Sequence, residues 1–399
     1  MMNYHDRIKN AIQIRLKEYQ EVALDIHDHP EVSNDEFYSS DRLMKVLMKE
    51  DFSVEAEVAG HRTGFIGRYV SKKSGPILVF LAEYDALPGI GHACGHNLFG
   101  VYSILAATAL KEVIDEVGGE IRVYGTPGEE GGENGSAKGS FVREGLFNDV
   151  DVALCAHPAH KYGRTTTSLA NDPVDIKFYG KASHAAGAPE QGINALEALI
   201  QVFNSINALR LHLPKDVNIH GIITAGGVAA NVVPDFAAGR FYLRATNRQM
   251  LNEVYQKVEN IVKGAALATG ASYEFGLFQN SVDDTIVTPV FDDVFLRHMK
   301  DLNIATSEID LEATTSLGSS DVGNVSQVIP TIQPTISISD EYIAGHSEEF
   351  KIAAKSEKGL ASISIAAELL ARTALDLLLN EALLESIKHA HHVSLTTGN

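Results

Sequence analysis

The segment PILVFLA at 76–82 is apolar at every position, the pattern of a parallel strand covered on both faces. EIRVYG at 120–125 and DVALCA at 151–156 share its short, β-branched character, and the Ala/Leu-rich stretch 97–113 between the first and second reads as a helix. Strand, helix, strand predicts an α/β sheet, and such sheets bind ligands beyond the carboxyl ends of their strands. Each of these three strands is followed at once by acidic, Cys or His residues.

After about residue 171 the periodicity changes. DPVDIKFYG alternates like a half-buried strand, 194–209 sets Leu196, Leu199, Ile200, Phe203 and Ile206 on one helical face, and NIHGIITA at 218–225 is strand-like. A strand at 238–245, a helix at 249–269 and a strand at 271–278 complete the order β-α-β-β-α-β, which predicts a ferredoxin-like domain. Long helices and an apolar strand at 331–339 then return. The expected architecture is a discontinuous catalytic α/β domain, 1–170 and 288–399, with a lid or dimerisation domain inserted at 171–287. KHAHH at 388–392 reads as the frayed end of a surface helix, not as a metal site.

A length of 399 residues suits two domains. Hydrophobic residues are 45% and charged residues 21%, ordinary globular usage, and no stretch reads as a bilayer span, so no membrane partner is expected. The polar start lacks the apolar run of a secretory signal, which points to the cytoplasm. Lys+Arg 33 against Asp+Glu 52 gives −19, a charge that repels nucleic acid. Two cysteines, Cys94 and Cys155, are too few for a disulfide framework and fit a reducing compartment.

The chemistry sits after the strands. His92-Ala93-Cys94-Gly95-His96 puts a thiol and an imidazole two residues apart at a loop-to-helix junction, where both can reach one cation, with His92 as a possible third ligand. Gly125-Thr126-Pro127-Gly128-Glu129-Glu130-Gly131 sets two adjacent carboxylates in a loop of little bulk. One can bind metal while the other faces the attacking water as general base. Cys155-Ala156-His157-Pro158 offers His157, with Cys155 read as core although strand alternation would put the two on one face. His346 follows the apolar strand at 331–339. Each segment alone has an ordinary explanation: a small buried thiol, polar loop histidines, an acidic turn. One dinuclear site accounts for all four, with Cys94, His96, Glu130, His157 and His346 as ligands and Glu129 as base.

AEYDALPGIGHACGHN, GTPGEEGGENG, CAHP, GKASHAAGAPEQGINA, GGVAANVVPD and HSEEF together resemble the M20 metallopeptidase and amidohydrolase family over essentially the whole chain. The likeness is closest to the branch with aminobenzoyl-glutamate hydrolase subunits, aminoacylase-like dipeptidases and indole-acetyl-amino-acid hydrolases. It implies two divalent metal ions per chain, zinc by the softness of a thiolate donor, with manganese or cobalt as alternatives. It further implies that Asp85 orients a metal ligand and that Asn231 and Arg244 bind the substrate carboxylate. His184 then reaches a neighbouring subunit's active site, so the chain is expected to form a homodimer or tetramer. Two departures stand out. Glu83 occupies a position ahead of the strand-end aspartate where many relatives place a metal histidine, and Asn97 replaces the aspartate usual in plant-hormone-conjugate hydrolases.

The expected reaction is hydrolysis of the amide of a dipeptide or N-acyl amino acid. Two other readings stay open on the residues: a metal-independent thiol hydrolase with Cys94 as nucleophile and His96 or His157 as base, and a binding protein that has lost the chemistry.

Overall fold

The computed structural model describes residues 3–313 and 318–397. The chain divides into two compact units, Met1–Thr167 with Thr285–Asn399, and Ser168–Asp284.

The larger unit is built on a six-stranded sheet in the order Ser53–Ala56, Phe65–Val70, Glu120–Gly125, Ile77–Ala82, Val152–Leu154, Thr331–Ile332. The last four run parallel and the first two complete the sheet antiparallel. Ile77–Ala82 lies in the interior with partners on both sides, which is why its run never alternates. Its register pairs Ala82 with Gly125, so Glu83–Asp85 and the Gly-rich loop leave the sheet side by side. That pairing brings two sequence-distant chemical segments together.

The helix His96–Val117 runs from Gly95 to Gly118, both at positive φ (80° and 102°), and nearly every residue of its first four turns is buried. By length and composition it is apolar enough to cross a membrane, which corrects the sequence reading that no stretch is; 89% of its apolar window is buried inside the fold. Core packing accounts for that apolar character.

Three local expectations change. The strand expected at 331–339 splits into Thr331–Ile332, in the main sheet, and Thr335–Ser337, in a second sheet beside His157–Ala159. Pro334, lacking an N–H, falls at the break. The strand expected at 151–156 ends at Leu154, and His157 opens the strand of the second sheet, so simple alternation does not relate Cys155 to His157. Cys155 is fully buried among Val79, Leu81 and Phe99, and its thiol donates to the Ile332 carbonyl at 3.4 Å. The 388–392 segment is no frayed end. It lies within the helix Glu381–Thr397, where Lys388 pairs with Asp151 at 2.5 Å and buried His391 meets the Ser326 carbonyl at 2.6 Å.

The smaller unit is a four-stranded antiparallel sheet ordered Ser272–Leu277, Ala170–Tyr179, Phe236–Ala245, Asn218–Ala225, the 4-1-3-2 order of a ferredoxin-like fold. Two helices pack on it, Ala195–Arg210 and Arg248–Thr269. Asn194 caps the first by accepting from Leu196 and Glu197 amides, and Asn247 caps the second through the Met250 amide. Val174, Ile176 and Phe178 of the first strand pack with Leu199, Val202 and Ile206 of one helix and Val254, Val258 and Val262 of the other. The alternation and the 3.6-residue repeat in the sequence reflect this one-sided core.

Candidate metal centre

Six potential donors from four segments meet at the carboxyl ends of the parallel strands. Cys94, His96 and His157 each place a ligand atom within 4.8 Å of one another, as do Cys94, Glu130 and His346, and also His96, Glu129 and Glu130. Cys94 Sγ lies 3.5 Å from His157 Nε2, and Glu130 Oε2 lies 3.4 Å from His346 Nε2. His92 belongs to none of these groups. It is buried nearby with its ring 5.9 Å from that of His27.

The donors are aimed by their neighbours. His96 Nδ1 hydrogen-bonds Asp85 Oδ1 at 2.9 Å, and His157 Nδ1 meets the Pro158 carbonyl at 2.7 Å, so in both rings Nε2 is left to face the cluster. Asp85 also accepts from the Glu130 amide at 2.9 Å, so one carboxylate orients a ligand on the helix and anchors the loop beside it. His346 sits at φ 61°, an uncommon conformation for a side-chain-bearing residue, with its amide tied to the Ala93 carbonyl at 3.0 Å. That turn returns the chain to the Cys94 segment.

Glu130 Oε1 is buried with no well-formed hydrogen bond, and buried His96 Nε2 has the Glu83 carboxylate at 3.3 Å but no well-formed hydrogen bond to it. An unmet buried polar atom costs on the order of 1–3 kcal/mol. A thiol, three imidazoles and carboxylates with lone pairs converging this way fit divalent cations.

Electrostatics separate the two adjacent glutamates. Burial, then the Glu83 and Glu130 carboxylates, push Glu129 well above the usual carboxylate range. Burial acts the same way on Glu130, but the His346 hydrogen bond and His96 outweigh it and hold Glu130 low. Burial and the Glu130 carboxylate raise the Cys94 thiol. Glu129 Oε2 lies 4.0 Å from His96 Nε2 and its side chain is 11% exposed, enclosed but reachable.

Sequence reasoning passed over a buried charge network under this cluster. Glu83 Oε2 lies 3.3 Å from His96 Nε2, Lys138 Nζ lies 2.8 Å from Glu83 Oε1, and Lys138 donates to Asp321 at 2.6 Å, all with side chains 0% exposed. Glu83 was noticed only as a departure from a pattern. Lys138 and Asp321, 183 residues apart, carried no local signal.

In the smaller unit, His184 and Asn231 are neighbours. Val232 bridges to His184, and the Ala185 amide donates to the Asn231 carbonyl at 3.0 Å. His184 Nδ1 accepts from the Ala186 and Gly187 amides at 3.2 and 2.9 Å, which leaves Nε2–H on an exposed ring. Arg244 is elsewhere. It pairs with Asn171, whereas Phe236 pairs with Tyr179 at the His184 end, and the eight-residue interval along one strand spans ~26 Å.

Residues 173–269 match the family model described as "Peptidase dimerisation domain". A mouse (Mus musculus) protein named Xaa-Arg dipeptidase is 34% identical over 315 residues, 78% of this chain and 72% of that protein. The chain belongs to the M20 peptidase family. A p-aminobenzoyl-glutamate hydrolase polypeptide of Escherichia coli is 36% identical to this M20 member over 295 residues, 69% of the chain and 60% of that protein. Among solved structures, an aminohydrolase from methicillin-resistant Staphylococcus aureus superposes with TM-score 0.72 at 19% identity, covering 93% of this chain and 99% of the other. A Bacillus subtilis dinuclear metal-binding peptidase of the M20 family gives 0.64 at 20% identity, covering 92% and 99%. These two likenesses speak for the fold. The family and its hydrolase character rest on the sequence relatives.

Proposed function

We propose that this M20 hydrolase uses two divalent cations to cleave the amide bond of a dipeptide or N-acyl amino acid, with Glu129 as general base. The observation that carries the reading is the convergence of Cys94, His96, Glu130, His157 and His346 beside a second carboxylate, that of Glu129. His96 and His157 would hold one cation and Glu130 and His346 the other, with Cys94 belonging to both groups. Cations bound there would supply Lewis acidity for the scissile carbonyl and for the attacking water.

The remaining roles belong to the chain. Glu129 takes the proton of the attacking water and passes it to the leaving amine, a relay for which its carboxylate is placed beside His96 and Glu130. Asp85 keeps His96 in one tautomer and the Glu130 backbone in place. Asn231 and Arg244 are assigned to the substrate carboxylate, Arg244 through the two parallel N–H groups of its planar fork. His184 is assigned to the oxyanion of a neighbouring subunit. His184 and Asn231 share one end of the sheet and Arg244 lies toward the other, so a site using all three would take His184 and Asn231 from one chain and Arg244 from another chain of a homo-oligomer. The names of the relatives favour dipeptides and aminobenzoyl-glutamate-like amides as substrates.

Chelation tests this against the thiol-hydrolase reading. Hydrolysis of a panel of dipeptides, N-acyl amino acids and p-aminobenzoyl-glutamate is expected to fall to background after chelation and to return on adding zinc, manganese or cobalt. Turnover that survives chelation and dies on alkylation would move the nucleophile to Cys94.

A further inference from the structure

The loop 126–136 must hold Glu129 and Glu130 still, yet it contains glycine at 128, 131, 132 and 135. Gly128, Gly131 and Gly132 sit at φ 68°, 97° and 99°, and Asn134 and Ser136 are also at positive φ. Such a segment surrenders roughly 1–2 kcal/mol of backbone entropy per residue when ordered. Something outside the loop has to offset that.

We infer that residues 33–36 form a clasp that positions the loop, with Glu36 and Asn34 as positioning residues for the Glu129–Glu130 pair. Glu36 is fully buried, and its carboxylate accepts from the Gly128 amide at 2.9 Å and from the Thr63 hydroxyl at 2.8 Å. Asn34 grips the other flank. Its Nδ2 donates to the Glu133 and Asn134 carbonyls at 3.1 and 2.9 Å, and its Oδ1 meets His61 Nδ1 at 2.7 Å. The two glutamates lie between these holds. The fit is close, since a Cβ on Gly128 would come within 2.4 Å of Ser33 Oγ.

Ordinary helix capping does not explain Glu36. It stands at the N-cap of Phe37–Lys49 but makes no side-chain cap bond. Glu31 caps that helix instead, one carboxylate oxygen accepting from the Tyr38 amide and the other from the Ser39 amide, both at 2.9 Å. The Glu36 side chain is thereby released to the loop, 92 residues away.

The clasp rests on the reading of Glu129 as base, and two readouts separate them. Glu36→Ala and Asn34→Ala are each expected to lower kcat by about 10- to 100-fold, the effect of a roughly 1 Å misplacement, while KM stays within about threefold. Glu36→Gln should restore most of the rate, because its amide oxygen still accepts from Gly128. Independently of turnover, hydrogen exchange of the Gly128–Ser136 amides should quicken in both alanine variants with the bound metal unchanged. Wild-type kcat in both alanine variants, or unchanged exchange in the loop, would overturn the clasp. If Glu36→Ala does not fold, Asn34→Ala, which leaves the core untouched, carries the test. Faster loop exchange in a protein with no amidase activity under any metal would retain the clasp and sink the base assignment.

Discussion

Glu129→Gln is expected to lower kcat by about 10²- to 10⁴-fold, the usual contribution of a positioned general base, equivalent to roughly 3–5 kcal/mol of barrier. Gln keeps the shape of the side chain and one oxygen but cannot accept the proton of the attacking water. KM should change little, because the substrate is assigned to Asn231 and Arg244. Metal content should remain at two per chain, since the five other donors stay in place. The metal count matters because Glu129 also lies within ligand distance of His96 and Glu130. Loss of one equivalent in this variant would make Glu129 a ligand. A near-normal rate would remove it from the chemistry.

The second large effect concerns stability. Lys138 is fully buried between Glu83 and Asp321, at 2.8 and 2.6 Å. Burial opposes its charge, but Asp321 and then Glu83 outweigh it and raise Lys138 above its ordinary value. Lys138→Met would strand two buried carboxylates, and breaking a buried pair costs about 3–5 kcal/mol. At roughly 2–4 °C per kcal/mol for a unit of this size, thermal unfolding should shift down by about 10 °C. Combining Lys138→Met with Glu83→Gln and Asp321→Asn should recover much of the loss, because no unpaired charge then remains. A single variant that unfolds within about 2 °C of the parent, or a triple variant no better than the single, would contradict this account of the network.

The contrast between these two sites shows what sequence reveals. Ile77–Ala82 was legible because a strand buried on both faces reads as a continuous apolar run, and Glu120–Gly125 because Ile121, Val123 and Tyr124 keep a short β-branched and aromatic character around Glu120 and Arg122. The βαββαβ unit was legible because a one-sided core imposes period two on strands and 3.6 on helices. The chemical segments were conspicuous because each compresses unusual residue types into a few positions directly after a strand. The split at Pro334 was missed because the apolar run continues through it, and the sheet change at His157 because alternation says nothing about which sheet a strand joins. Lys138–Asp321 and Glu36–Gly128 left no local pattern. Their partners are 183 and 92 residues apart, and a lone Lys or Glu reads as a surface residue until its burial is seen. Arg244 could be picked out by its sequence context, but only the strand register placed it far from His184.

The central claim is a pair of cations held by Cys94, His96, Glu130, His157 and His346. Anomalous diffraction from crystals grown with zinc tests it most directly, because it counts and places the ions without relying on a chosen substrate. The account predicts two peaks per chain, one against His96 and His157 and one against Glu130 and His346, with Cys94 in reach of both. Zinc found only elsewhere on the chain, or no ordered peak among these five residues at saturating zinc, would contradict it.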